Sequence, residues 1–209
     1  MTPTDRERLE RDLRSLCERG DFAGAATAAI RGFGPEIYGF LVGFHHTEQD
    51  AAEVFSIVTE RLWRGLPGFD WACSFRTWAY TIARNASSTH HEDAQRRARE
   101  HVPLSEVSEV SRLAEQVRTE TATHLRTETK SRVAALREGL TADERLLLSL
   151  RVDRELDWND LVRVLHDGAE PLDDDAIRRE SAKMRQRFQA LKAKLGELAR
   201  REGLLGKGR

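Results

Sequence analysis

Cysteine is scarce, with only Cys17 and Cys73 in 209 residues. So far apart in sequence, the two make no disulfide framework. Both read as reduced core thiols of a cytoplasmic protein. Long apolar runs are missing. None approaches the roughly 18 residues of a membrane span, so no membrane insertion is expected. The opening stretch MTPTDRERLERDL is charged and lacks the apolar centre of a secretory signal. Apolar residues make up only 39% of the chain against 33% charged, with a mean hydropathy of −0.59. One large core needs more than that, so two small domains joined by a polar stretch are expected. A positive excess is missing too. The net charge is −1, whereas a free-standing DNA binder usually carries many uncompensated cations.

The equipment of catalysis is also thin. No Gly-rich loop with a Lys cradles phosphate. His45-His46 and His90-His91 are adjacent pairs that diverge on a helix, with no Cys or carboxylate at ligand spacing, so no metal site is expected. Ser74, Ser87 and Ser88 lack a base partner and read as caps or solvated surface. No catalytic residue and no cofactor are expected.

What is present is unevenly placed. Twelve of the fourteen aromatics lie between Phe22 and Tyr80, which marks an aromatic-rich domain over residues 1–99. Residues 100–130, rich in Ser, Thr and Glu and containing Pro103, read as a linker. Val110, Leu113, Val117 and Leu125 give its second part a weak helical spacing. A leaner domain follows over 131–209. Within it, Leu140 to Asp175 carries eleven acidic against four basic residues, net −7. Ala176 to Arg209 carries eleven basic against three acidic, net +8. So abrupt a change of sign is a statement about partners.

Apolar spacing predicts helices throughout and no strands, hence an all-α fold. Leu9, Leu13, Leu16 and then Phe22, Ala26, Ile30 predict two short helices. Pro35 should start a third, with Ile37, Phe40, Leu41 and Phe44. Ala51, Val54, Phe55, Val58 and Leu62 form the next stripe, stopped by Gly65-Leu66-Pro67-Gly68. Phe75, Trp78, Ala79 and Ile82 follow Ser74, a suitable N-cap. In the second domain Thr141-Ala-Asp-Glu144 is a capping box, and Asp157 can start a helix carrying Leu161, Val162 and Leu165. The three acids Asp173, Asp174 and Asp175 suit the start of the last helix. That helix has one apolar seam, Ile177, Ser181, Met184, Phe188, Leu191, Leu195 and Leu198.

At 100° per residue, Arg179, Ala182, Lys183 and Gln186 face away from this seam, flanked by Arg178 and Arg185. Arg can read guanine and Gln adenine in a major groove, and Ala permits close approach. Two short helices, a turn and a basic third helix make a helix-turn-helix arrangement. In the first domain, Gly68 to Asn85 alternates aromatics with Arg and Thr. Phe69, Asp70 and Trp71 sit in a Gly/Pro-bounded loop where core packing explains them poorly. Arg76, Tyr80 and Arg84 fall on a different face from Phe75, Ala79 and Ile82, open to a ligand. Aromatics can stack on unpaired bases while Arg holds phosphates.

These residues resemble a known family, the extracytoplasmic-function group of bacterial RNA polymerase sigma factors, over roughly residues 20–195. SFRTWAYTIARN, Ser74 to Asn85, is similar to the segment that melts and reads the upstream-ten promoter element. Asp50-Ala-Ala-Glu53 followed by Arg61-Leu-Trp63 resembles the helix that docks on the polymerase clamp. Ser56 and Ile57 stand where the family places a Gln-acidic pair, and apolar contact around Ile57 would then take over part of that interface. Arg96, Arg97 and Arg99 come later than the family's basic tract. The second domain resembles the family's upstream-thirty-five reader.

The resemblance implies a dissociable promoter-specificity subunit that initiates transcription and has no active site. Core polymerase, through its clamp and flap regions, and promoter DNA are the implied partners, and an anti-sigma protein is a candidate third. Phe69, Asp70, Trp71, Arg76, Tyr80, Arg84 and Asn85 would engage melted DNA. Arg178, Arg179, Ala182, Lys183, Arg185 and Gln186 would meet the duplex, and Asp50, Glu53, Ile57, Arg61 and Trp63 the polymerase. A regulator binding duplex DNA unaided is the rival reading. A protein whose last helix is only a partner seam is the second.

Overall fold

The computed structural model describes residues 1–45, 47–94, 108–128, 139–168 and 172–201. Arg96, Arg97 and Arg99, His46 and the first part of the expected linker lie outside them. The fold is all-α, in two compact units, Met1–Thr127 and Glu128–Arg209.

The first unit is built from α1 (Pro3–Glu18), α2 (Phe22–Phe44), α3 (Glu48–Gly65), α4 (Phe75–Ala94) and α5 (Ser108–Glu128). Pro35 does not start a helix as expected. It lies inside the uninterrupted 23-residue α2. A proline there removes one backbone bond and crowds the preceding turn. The compensation is burial, because Ala29, Ile30, Phe33, Ile37, Tyr38, Phe40 and Leu41 on both sides of it are all in the core. Each large apolar side chain so buried contributes roughly 1.5–3 kcal/mol. Tertiary packing thus overrides the local break.

Thr47 caps α3, its Oγ1 accepting from Asp50 N at 3.0 Å. The stripe Ala51, Val54, Phe55, Val58 and Leu62 is buried as the spacing predicts. The Leu66–Gly68 turn ends that run, and α4 then passes through the middle of the unit. Phe75, Thr77, Ala79, Tyr80, Ala83, Ala86, Ser87 and His90 are all buried, so one broad side of α4 is enclosed.

The segment expected to link the domains holds α5, whose Ala114 and Val117 are buried. A Cβ on Gly34 of α2 would stand 3.0 Å from Cγ1 of Val117. Glycine is what lets the two helices approach so closely.

In the second unit, Thr141 caps α6 (Ala142–Leu148) with the expected box. Its Oγ1 accepts from Glu144 N at 3.2 Å, and Glu144 accepts from Thr141 N at 2.8 Å. A π-helical turn, Ser149–Asp153, extends α6. Asp157 caps α7 (Trp158–Leu165) by accepting from Asn159 N and Asp160 N. The long α8 (Asp174–Arg201) packs on α7 through the predicted seam. Ile177, Ser181, Met184 and Leu191 are buried, while Phe188, Leu195 and Leu198 are half-buried. Ser181 Oγ donates to Asn159 Oδ1 at 2.8 Å, which ties the two helices together.

Candidate nucleic-acid interface

The loop between the Leu66–Gly68 turn and α4 is short and heavily anchored. Asp70 Oδ1 accepts from Ala72 N at 3.0 Å, a side-chain turn that tightens the bend. Trp71 then adopts φ 60°, the left-handed region that a bulky residue rarely enters. Such a conformation costs about 1–3 kcal/mol and persists only where its surroundings dictate it. The surroundings here are aromatic. Phe69 stacks on Trp78 with ring centroids 4.5 Å apart. It also meets Trp71 at 4.8 Å and Phe75 at 6.1 Å. Phe69 is therefore a packing residue that closes the loop onto α4, contrary to the expectation from sequence. Trp71 lies at the outer end of the cluster, half-buried, and Asp70 is exposed.

The start of α4 is capped twice. Ser74 Oγ accepts from Thr77 N at 3.0 Å, as the sequence predicts. Glu10 of α1, 65 residues upstream, accepts from Phe75 N at 2.8 Å and from Arg76 N at 2.9 Å. A carboxylate on bare helix N–H groups is favoured by both hydrogen bonding and the helix dipole. One turn further along α1, the Arg14 guanidinium stands over the Trp71 ring, 5.5 Å from its centroid.

Arg76 and Tyr80 are not on an open face. Tyr80 is fully buried, edge-on to Phe40 at 5.5 Å. The Arg76 guanidinium lies 5.3 Å from the Tyr80 ring centroid. It is also forked onto Glu36, with Nε 2.7 Å from Oε1 and side chains only 12% and 14% exposed. The reason is that α4 packs against α2 on a second side, which periodicity counted from Phe75 alone does not show. Arg84 is half-buried and Asn85 exposed, with Arg84 Nη1 donating to Asn85 Oδ1 at 3.3 Å. The strip of α4 that reaches solvent takes in half-buried Trp78 and Thr81 and exposed Asn85, Ser88 and Thr89, the first four spaced three, four and three apart on one face. Trp78, Thr81 and Ser88 are absent from the expected set, although that spacing was there to be read.

On α3, Asp50, Glu53, Ile57 and Arg61 fall within about 80° of one another, and Trp63 lies on the far flank of the buried stripe. The five expected docking residues thus form two patches. The first is tied to α4, since His90 Nε2 lies 3.3 Å from Glu53 Oε2 and 4.0 Å from Asp50 Oδ1. His90 is buried against His45, their ring centroids 5.6 Å apart, and His45 Nε2 is 3.0 Å from Ser87 Oγ. Ser87, expected on the solvated surface, is therefore a buried partner. No local pattern announces a contact spanning 45 residues. Cys17 and Cys73 form no disulfide with one another and are half-buried rather than in the core, and burial pushes the Cys17 thiol above its ordinary value.

On α8, Arg178, Arg179, Ala182, Lys183, Arg185 and Gln186 are all exposed, as the angular count predicts. Two of the cations carry acidic neighbours one turn back. Arg178 pairs with Asp175, and Lys183 Nζ lies 2.6 Å from Glu180 Oε1. Arg185 leans over Trp158, 5.8 Å from its centroid, and Arg151 lies 4.7 Å from the same ring. Trp158 in turn meets Phe188 at 5.6 Å.

No helix among the described residues is long and apolar enough to cross a membrane, and those residues contain no cluster of three or more potential metal ligands. No curated protein matches the chain. Residues 29–97 match the family model described as Sigma-70 region 2, a span that takes in most of α2, all of α3, the anchored loop and α4. The matched span lies within the first unit, which is thus similar to a Sigma-70 region 2 domain.

Proposed function

We propose that this chain is a sigma factor of the extracytoplasmic-function type, which brings bacterial RNA polymerase to particular promoters and opens them. The observation that carries the reading is the Sigma-70 region 2 match enclosing the loop at Trp71, whose φ of 60° holds a large aromatic at the outer end of a rigid cluster. An aromatic so held can stack on a base turned out of the duplex. Unstacking that base costs a few kcal/mol, offset by the new contact. Asp70 and backbone groups of the loop would meet the base edge, and Asn85 with Arg84 the neighbouring strand. Asp50, Glu53, Ile57 and Arg61 would meet the polymerase clamp, with Trp63 on a separate contact. In the second unit, exposed Arg179, Lys183 and Gln186 on α8 would enter the major groove, and the same unit would engage the flap. An anti-sigma protein would act by covering these surfaces.

Run-off transcription with bacterial core enzyme on genomic fragments tests the proposal. Discrete promoter-specific transcripts that need the chain are expected. Trp71→Ala should weaken them on duplex templates and be partly rescued where the melted stretch is already mismatched. Tight sequence-specific binding by the chain alone, with no effect on polymerase, would instead establish a stand-alone regulator.

A further inference from the structure

The Sigma-70 region 2 match begins at residue 29 and so leaves out α1, yet two side chains of α1 reach the loop. Glu10 holds the backbone of Phe75 and Arg76. Arg14, four residues on and thus on the same face, covers the Trp71 ring at 5.5 Å. A base stacked between a guanidinium and an indole needs two contacts of about 3.5 Å each, roughly 7 Å in all. The observed spacing is too small, so this face of Trp71 is closed while Arg14 stays. Glu10 is fixed by two backbone hydrogen bonds, whereas Arg14 meets the loop through one cation–ring contact. Its side chain is 60% exposed, and its Nε already lies 3.5 Å from Glu18 Oε1, an ion pair on its own helix that would keep hold of it once it left the ring.

We infer that Arg14 is the stand-in for the unpaired base. Its cation occupies this face of Trp71 until a flipped base displaces it, the ion pair with Glu18 retaining it on α1. The inference rests on the base-capture reading of Trp71, and it predicts a sign that simple electrostatics cannot produce. Deleting a cation beside DNA ordinarily weakens binding. Deleting a competitor strengthens it, here by the worth of an exposed cation over an aromatic ring, about 2–5-fold.

The test uses the full chain assembled with bacterial core RNA polymerase, titrated with a fluorescein-labelled, randomised single-stranded DNA 15-mer and read by anisotropy. Arg14→Ala should bind about 2–5-fold more tightly than the unaltered chain and melt a few degrees lower, because the free first unit loses that same contact. Trp71→Ala should bind more weakly, and adding Arg14→Ala to it should change nothing further. Weaker or equal binding by Arg14→Ala, in a series where Trp71→Ala does weaken binding, overturns the stand-in role. So does a gain that persists without Trp71. If Trp71→Ala binds as tightly as the unaltered chain, the capture reading itself fails, and the role of Arg14 with it.

Discussion

Replacing Glu10 with Ala removes the carboxylate that accepts from Phe75 N and Arg76 N across 65 residues of chain. Both N–H groups belong to the first turn of α4, where no intrahelical acceptor exists. Hydrogen bonds to a charged partner contribute about 1.5–3 kcal/mol each when well buried, and loss of an N-cap typically costs about 1 kcal/mol. Glu10 is half-buried, so water can reach the vacated groups in part. Ser74 continues to hold Thr77 N. A cost of about 2 kcal/mol follows, borne by the first unit alone. Glu10→Gln keeps one acceptor oxygen and should cost about half as much. Urea unfolding followed by tryptophan fluorescence is suited to the measurement, because Trp63, Trp71 and Trp78 lie in the first unit and Trp158 in the second. The first transition should shift its midpoint while its slope holds. A shift worth less than about 0.3 kcal/mol for Glu10→Ala would refute the view that this carboxylate anchors α4, the scale being that of an ordinary surface change.

Tyr80→Ala should lower the stability of the first unit by about 3–5 kcal/mol, as truncation of a buried aromatic does. An unchanged urea midpoint with selectively lost DNA binding would return Tyr80 to the surface. Gly65→Ala would place a Cβ 2.9 Å from Cζ2 of Trp78 and should cost about 1–3 kcal/mol by overpacking. Combining it with Trp78→Phe should recover part of that loss, and strict additivity in the double mutant would argue against the clash. The Lys194 ammonium, followed by the Thr141 N–H, holds the Glu144 carboxyl below its ordinary value of 4.5. A lowered folded-state value stabilises above the unfolded one, and that contribution is lost as pH falls through the folded one. Melting of the second unit between pH 6 and pH 3 should therefore show the advantage over Glu144→Gln shrinking below about pH 4.5, and a gap that stays constant would contradict the linkage.

What the sequence disclosed was what short-range physics decides. The caps at Ser74, Thr141 and Asp157 are each complete within three residues, and each forms as read. The seam of α8 and the exposure of Arg179, Lys183 and Gln186 follow from one angle applied repeatedly. Misreadings arose where a second element decides. Periodicity marks which face of α4 is apolar, but not that α2 would enclose the face carrying Arg76 and Tyr80. Pro35 obeys local rules poorly because its neighbours are buried on both sides. The meeting of His45 with His90 and of Glu10 with α4 joins segments that only the finished fold brings together.

The carboxylates beside Arg178 and Lys183 bear on how ionic strength would act on α8. A lysine or arginine that lands on a phosphate ordinarily frees a small cation condensed on the polyanion, and this release makes affinity fall steeply with added salt. Where the arriving side chain must first leave an internal carboxylate, the newly exposed acid gathers a cation of its own. The net number of ions set free per contact drops, and the plot of log affinity against log salt flattens. A helix with nine cations from Arg178 to Arg201 would then behave toward a polyanion as though it had fewer, trading strength at low salt for constancy as the surroundings change.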